Sequence, residues 1–208
     1  MRGCFRPTTS MRNIWKGRVI AMKKISLSPI QGKLLCYPVT AAMVTCADGQ
    51  QQNIIAITFI APVTSRPPMV MISVSPERYS YDMIKKSGEF VVNIPGPELL
   101  YETQYVGRKS GRDVDKFQET GLTAIPAQVV KAPLIAECWG HIECKVVKEV
   151  DVGVHTMFVG EIVAASANEG CFENSIVLGE EHARMIAFLG GNKYGVIERC
   201  ETAPMTKE

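Results

Sequence analysis

Apolar and polar positions in this chain alternate over short runs separated by turn residues, and no long stripe of helical period is present. Residues 40–46 (TAAMVTC) predict a first core strand, and ADGQQQ predicts a hairpin turn around Asp48-Gly49. Residues 53–59 return antiparallel, the segment APVTSRPP makes a Pro-rich corner, and residues 69–75 form a third strand. Residues 79–86 (YSYDMIKK) predict a short helix ended by Gly88, and residues 89–94 (EFVVNI) a fourth strand bounded by Pro95-Gly96-Pro97. Residues 98–106 read as helical, GRKSGRD as a polar loop of the mobile kind, and residues 114–119 as a short helix ended by Gly121. The longest β-signals, 136–150 and 154–168, form one long hairpin about Asp151-Val152-Gly153. After an acidic loop (169–183), segments 184–189 and 194–198 close the chain around Gly190-Gly191.

Six or more closely spaced strands with only short helices between them predict a mainly β fold, a barrel. A dinucleotide-binding α/β sheet would need long amphipathic crossover helices and a G-x-G-x-x-G turn, and both are missing. With 208 residues the chain suits one domain, taken as 29–198, with an extension at 1–28 and a tail at 199–208. Residues 1–21 read as upstream or added sequence, because Met22 opens MKKISLSP, a natural-looking start. The net charge of +2 hides an asymmetry. Seven Lys/Arg and no acids fall in residues 1–24, which leaves 16 basic and 21 acidic residues in the body. Such a body offers no basic field for nucleic acid. No apolar run reaches the roughly 18 residues of a membrane helix, and no secretory h-region is present. Seven cysteines, odd in number and without C-x-x-C, point to a reduced cytoplasm, with Cys36, Cys46, Cys138 and Cys144 expected as buried apolar fillers.

Three groups of residues carry candidate chemistry. Cys138, His141 and Cys144 have a tempting metal spacing, but on a strand 138 and 144 share one face while 141 points away, so no metal site is expected. Ser75, Arg78, Tyr79 and Ser80 surround the start of a helix, where free N–H groups and a guanidinium suit a phosphate; ordinary Ser capping beside a surface Arg is the alternative. Lys116, in VDKF, is either a second cation for that anion or a surface lysine. His155 follows a turn at the mouth of a long apolar strand, and His182 reads as a solvated loop residue.

The series YPVTAAMVTCADG, N-x₄-T-F-x-x-P-V-T-x-x-P-P, SPERYS, GEFVVNIP, SGRDVDKF, IECKV and VHTMFVGEIV, in this order across some 130 residues, resembles the flavin reductase-like family. That family includes NAD(P)H:flavin reductases and flavoredoxins. The resemblance implies a split β-barrel of Greek-key type that is homodimeric and holds FMN noncovalently near the subunit interface. It also implies that Asn53, Thr58, Phe59, Ile60 and Ala61 line the isoalloxazine. Ser75, Arg78, Tyr79, Ser80 and Lys116 would then serve the phosphate, and Phe188 would pack on the ring. His155 would stand where a nicotinamide or another partner approaches. Phe59 replaces a common Trp, and VGVH lacks the acid of the family's G-D-H. The expected activity is an oxidoreductase whose flavin is reduced by NAD(P)H, with electrons passing to free flavin, iron or a protein. The alternatives are a flavoredoxin-like carrier fed by a redox partner and a flavin-binding module with little turnover.

Overall fold

A computed structural model of the chain describes residues 24–203. The expected extension at 1–21 and the last residues of the expected tail lie outside them. The described residues fall into a short leading unit ending at Leu35 and a main unit starting at Cys36. In the leading unit a single helical turn, α1 (Pro29–Gly32), begins at Ser28, whose side chain and backbone exchange hydrogen bonds with Gln31 as a capping box.

The main unit holds twelve strands. They are β1 (Val39–Thr40), β2 (Ala42–Asp48), β3 (Gln51–Ile57), β4 (Ile60–Ser65), β5 (Pro68–Val74), β6 (Glu89–Ile94), β7 (Ala124–Ile125), β8 (Leu134–Ile135), β9 (Gly140–Val152), β10 (His155–Ala167), β11 (Met185–Gly190) and β12 (Lys193–Ile197). Its helices are α2 (Tyr79–Ser87), α3 (Leu100–Arg108) and α4 (Lys116–Thr120). Seven strands form one antiparallel sheet in the order β3-β2-β6-β9-β10-β5-β4. The two end strands do not pair with each other, so the sheet curls into an open, split barrel. The closing strands β11 and β12 pair instead with β1 in a separate three-stranded sheet.

Alternation along the strands decides what faces the barrel interior. Val44 and Cys46, Ile55 and Ile57, Val70 to Val74 by twos, Phe90 and Val92, Cys144 and Phe158 make one core, which Met83 and Ile84 of α2 close. On the other face of β2, β3 and β6 a second cluster, Met43, Ile54, Leu99, Val106, Leu122, Ile135 and Cys138, lies under α3 and α4. Strands in this half are therefore buried on both faces, and β2 is buried at six successive positions. The strand residues Asn93 and Thr45, caught there, are paired. Asn93 donates to the Met43 carbonyl (3.0 Å) and accepts from Ile135 N–H (2.9 Å), and Thr45 donates to the Pro133 carbonyl.

Four sequence expectations change. The corner APVTSRPP is a strand, β4, followed by a tight turn at Arg66-Pro67. Pro62 is tolerated because β4 is the sheet edge, where a missing N–H breaks no ladder. Residues 124–125 and 134–135 add the small pair β7–β8, too short for periodicity to reveal. Cys138 precedes β9 and packs in the second cluster while Cys144 enters the barrel core, so the two thiols do not share a face. Cys36 is exposed, whereas Cys171 is buried.

Candidate functional site

Helix α2 forms because Tyr79–Ser87 carries an apolar face (Met83, Ile84) with lysines in its last turn, and because Gly88 ends it in the left-handed conformation at φ 68°. At its start the N-cap is Arg78, in extended conformation, and no side chain caps the first turn. Ser75 Oγ accepts only a long bond from Glu77 N–H (3.4 Å), while Ser80 Oγ accepts from Asn53 Nδ2 at 2.7 Å. Tyr81 N–H bonds the Arg78 carbonyl (2.9 Å), which leaves the N–H groups of Tyr79 and Ser80 without a side-chain cap at the positive end of the helix.

Lys116, at the start of α4, is 5% exposed. Its ammonium donates to the carbonyls of Ile54 and Val106, both at 2.7 Å, which uses two of its three N–H donors. Burial, and secondarily the Arg78 guanidinium, hold its pKa down to about 8. Burial pushes the neighbouring Cys46 thiol up to about 12 and keeps it protonated. Asn53, Arg78, Ser80, Lys109, Gly111 and Lys116 surround a cavity of about 100 Å³. Its wall at Gly111 leaves no room for a side chain, since a Cβ there would lie 2.3 Å from Asn53 Oδ1 and 2.8 Å from Tyr79 Cδ1.

Through Ile55 and Arg78 this cavity adjoins a second one of about 190 Å³, lined by the backbone run Ile55–Phe59 with Ser73, Ser75 and His155. Here the β3–β4 connection crosses beside the first residue of β10. The His155 and Phe59 rings meet edge-on, with centroids 5.8 Å apart, and the His155 side chain makes no hydrogen bond among the described residues. An apolar groove with Ile60, Met71, Val152 and Met157 continues past Phe59 and His155 over the outer face of the sheet.

The sequence-predicted residues Asn53, Thr58, Phe59, Ser75, Arg78, Tyr79, Ser80, Lys116 and His155 therefore line two adjoining cavities, and Ile60 lies at their rim. Ala61 lies half-buried opposite Met71 in β4 and lines neither. Phe188 sits apart, in β11, with its ring between Tyr37 (5.7 Å) and Tyr194 (5.2 Å). Lys109, Ser110 and Gly111 were missed as site residues; the two glycines of GRKSGRD were the available signal. His141 bonds the Ile135 carbonyl (2.9 Å) and Ser166 (3.3 Å), both on its own side of β9.

A polar, cation-lined pocket beside a second cleft suits a ligand that joins an anion to a flat ring system. The family pattern described as "Flavin reductase like domain" matches residues 34–187. An uncharacterized protein of Pyrococcus abyssi is 34% identical over 144 residues, 69% of this chain and 83% of the relative. A ferric-chelate reductase (NAD(P)H) of Archaeoglobus fulgidus is 33% identical over 126 residues, 57% of this chain and 69% of the relative. The flavoredoxin of Desulfovibrio vulgaris (Miyazaki F) superimposes with a TM-score of 0.77 at 25% identity, covering 89% of this chain and 98% of that one. The strand order, the helix-start pocket and these likenesses identify one lineage, and the chain belongs to the flavin reductase-like family.

Proposed function

We propose that the protein is an FMN-dependent oxidoreductase whose flavin is reduced by NAD(P)H. The observation that carries this reading is the junction of the two cavities: a buried lysine and an uncapped helix start lie at one end, and a cleft lined by residues 55–59, Ser73, Ser75 and His155 lies at the other. The residues present fit FMN. Lys116, Arg78, Ser80 and the first-turn amides of α2 would hold the phosphate. The run Ile55–Phe59, with Ser73 and Ser75, would hold the ring. When bound, the flavin supplies hydride-accepting chemistry, which needs position and electrostatics from the protein rather than a nucleophile or acid–base pair.

Several side chains then have defined work. Lys116 and Arg78 neutralise the phosphate, and Asn53 orients the Ser80 hydroxyl. Phe59 and His155 form the wall at the open end of the cleft, where a reductant or acceptor approaches. A second copy of the chain covers the apolar outer face of β4, β5 and β10, where Met71 and Val159 stand opposite each other in register.

The test is the visible spectrum of the purified protein, followed by anaerobic NADH and NADPH. A flavin spectrum that bleaches is the expected result. A spectrum that persists with both nucleotides and bleaches with a reduced redox protein would move the protein to a carrier role like that of flavoredoxin. His155→Ala is expected to slow bleaching by about tenfold or more while changing FMN affinity little; unchanged reduction kinetics would remove His155 from the redox step.

A further inference from the structure

The phosphate cavity is closed by the loop at residues 109–115, and one side chain ties that loop down. The loop is anchored at both ends. Lys109 N–H bonds the Tyr105 carbonyl at the end of α3, and Asp115 caps α4 by accepting from Phe117 and Gln118 N–H (3.0 and 3.1 Å). Between these anchors, Gly111 lies against Asn53 and Tyr79. Arg112 reaches across to the segment before α2. Its Nη1 donates to the Glu77 carbonyl (2.9 Å), its Nη2 pairs with Asp82 (3.3 Å), and its guanidinium lies 5.4 Å from the centre of the Tyr79 ring. A planar fork can make these three contacts together, and an ammonium cannot.

The enclosed volume suggests what these contacts serve. The cavity measures about 100 Å³, and Lys109, Ser110 and Gly111 form part of its wall. A flavin carrying a second phosphate and an adenosine must continue outward past the phosphate, and Lys109, Ser110 and Gly111 line this cavity on the side away from the ring cleft.

We propose that Arg112 is a specificity-determining positioning residue: by fastening the 109–115 loop to the segment leading into α2, it selects the mononucleotide flavin over FAD and slows the release of FMN. The proposal rests on the reading of this cavity as the phosphate pocket. Arg112 does not itself line the cavity and acts through Glu77 and Tyr79, which do.

The experiment compares the full-length protein with Arg112→Ala and Arg112→Lys, measuring equilibrium affinity for FMN, FAD and riboflavin and the rate of FMN release after dilution. Loss of two charge-assisted hydrogen bonds, one of them in an exposed ion pair, and one cation–π contact predicts FMN release on the order of tenfold faster in Arg112→Ala. The preference for FMN over FAD narrows by a similar factor, riboflavin affinity barely moves, and Arg112→Lys recovers part of the preference. Release and FMN/FAD preference within about twofold of the parent protein would overturn the proposal, since about twofold is only a few tenths of a kcal/mol. Equal loss for all three ligands would overturn it too, because it would make Arg112 a general structural support. If the parent protein binds riboflavin as tightly as FMN, the phosphate reading fails and the role of Arg112 falls with it.

Discussion

Lys116 shows how one residue can look ordinary in sequence and become the electrostatic centre of a site. In VDKF it has the pattern of a surface lysine, yet the start of α4 points it inward, where two carbonyls hold its ammonium and burial lowers its pKa to about 8. The sign of the pH dependence follows. Below about pH 8 the ammonium is charged and, on the proposed reading, would meet the phosphate of FMN; as pH rises through that value the free protein loses the charge, while the phosphate, with a second pKa near 6, stays dianionic. FMN affinity is therefore expected to fall as pH rises above about 8, with riboflavin affinity flat, and FMN binding near that pH should take up a proton, measurable by calorimetry in buffers of different ionisation enthalpy. A flat FMN profile through pH 9.5 would contradict this role. Lys116→Met, which keeps the buried stem, should weaken FMN by roughly ten- to a hundredfold, the worth of a charge-assisted bond, and spare riboflavin. Equal loss of both ligands would place Lys116 outside the phosphate site.

At the scale of elements, the long β9–β10 hairpin does two jobs. Its turn end brings His155 to the ring cleft, and its middle closes the barrel core. At the register shift after Val159, Gly160 faces the interior, where a Cβ would lie 2.7 Å from Phe90 Cζ and 2.9 Å from Cys144 Cβ. Gly160→Ala is expected to cost about 1–3 kcal/mol by overpacking, read as a lowered urea midpoint with an unchanged slope. A midpoint unchanged within error would mean that the ring of Phe90 can turn away freely. Elsewhere a buried carboxylate fastens a connection: Glu143 accepts from the N–H groups of Gln128, Val129 and Val130 at 2.9, 2.7 and 3.2 Å. Periodicity cannot foresee such a tether, because it joins a strand to a segment without regular structure.

For the whole molecule, the sheet is asymmetric in its cover. The β2–β3–β6 half lies under α3 and α4, whereas Met69, Met71, Met157 and Val159 on the other half are only half-buried. Apolar area of this kind suits an interface between copies, which for a stable dimer needs about 800 Å² from each partner. Sedimentation equilibrium at micromolar concentration is expected to give the mass of two chains, and Val159→Lys to shift it toward one. A monomer at all concentrations would exclude the dimer. No helix among the described residues is long and apolar enough to cross a membrane.

What the sequence determined by itself was whatever depends on local physics. Period-two alternation and the Gly-bearing turns marked most strands, Gly88 and Gly121 ended two helices, and both adopt the left-handed φ there. The ordered series of motifs was enough to indicate the family. Tertiary structure decided what depends on distance. Pro62 could stand in a strand only because that strand is an edge, and β11–β12 left the large sheet for β1. Phe188 joined Tyr37 and Tyr194. The 109–115 loop became a wall of the site because contacts made across tens of residues, Gly111 on Asn53 and Arg112 on Glu77 and Asp82, leave no trace in the spacing of the chain.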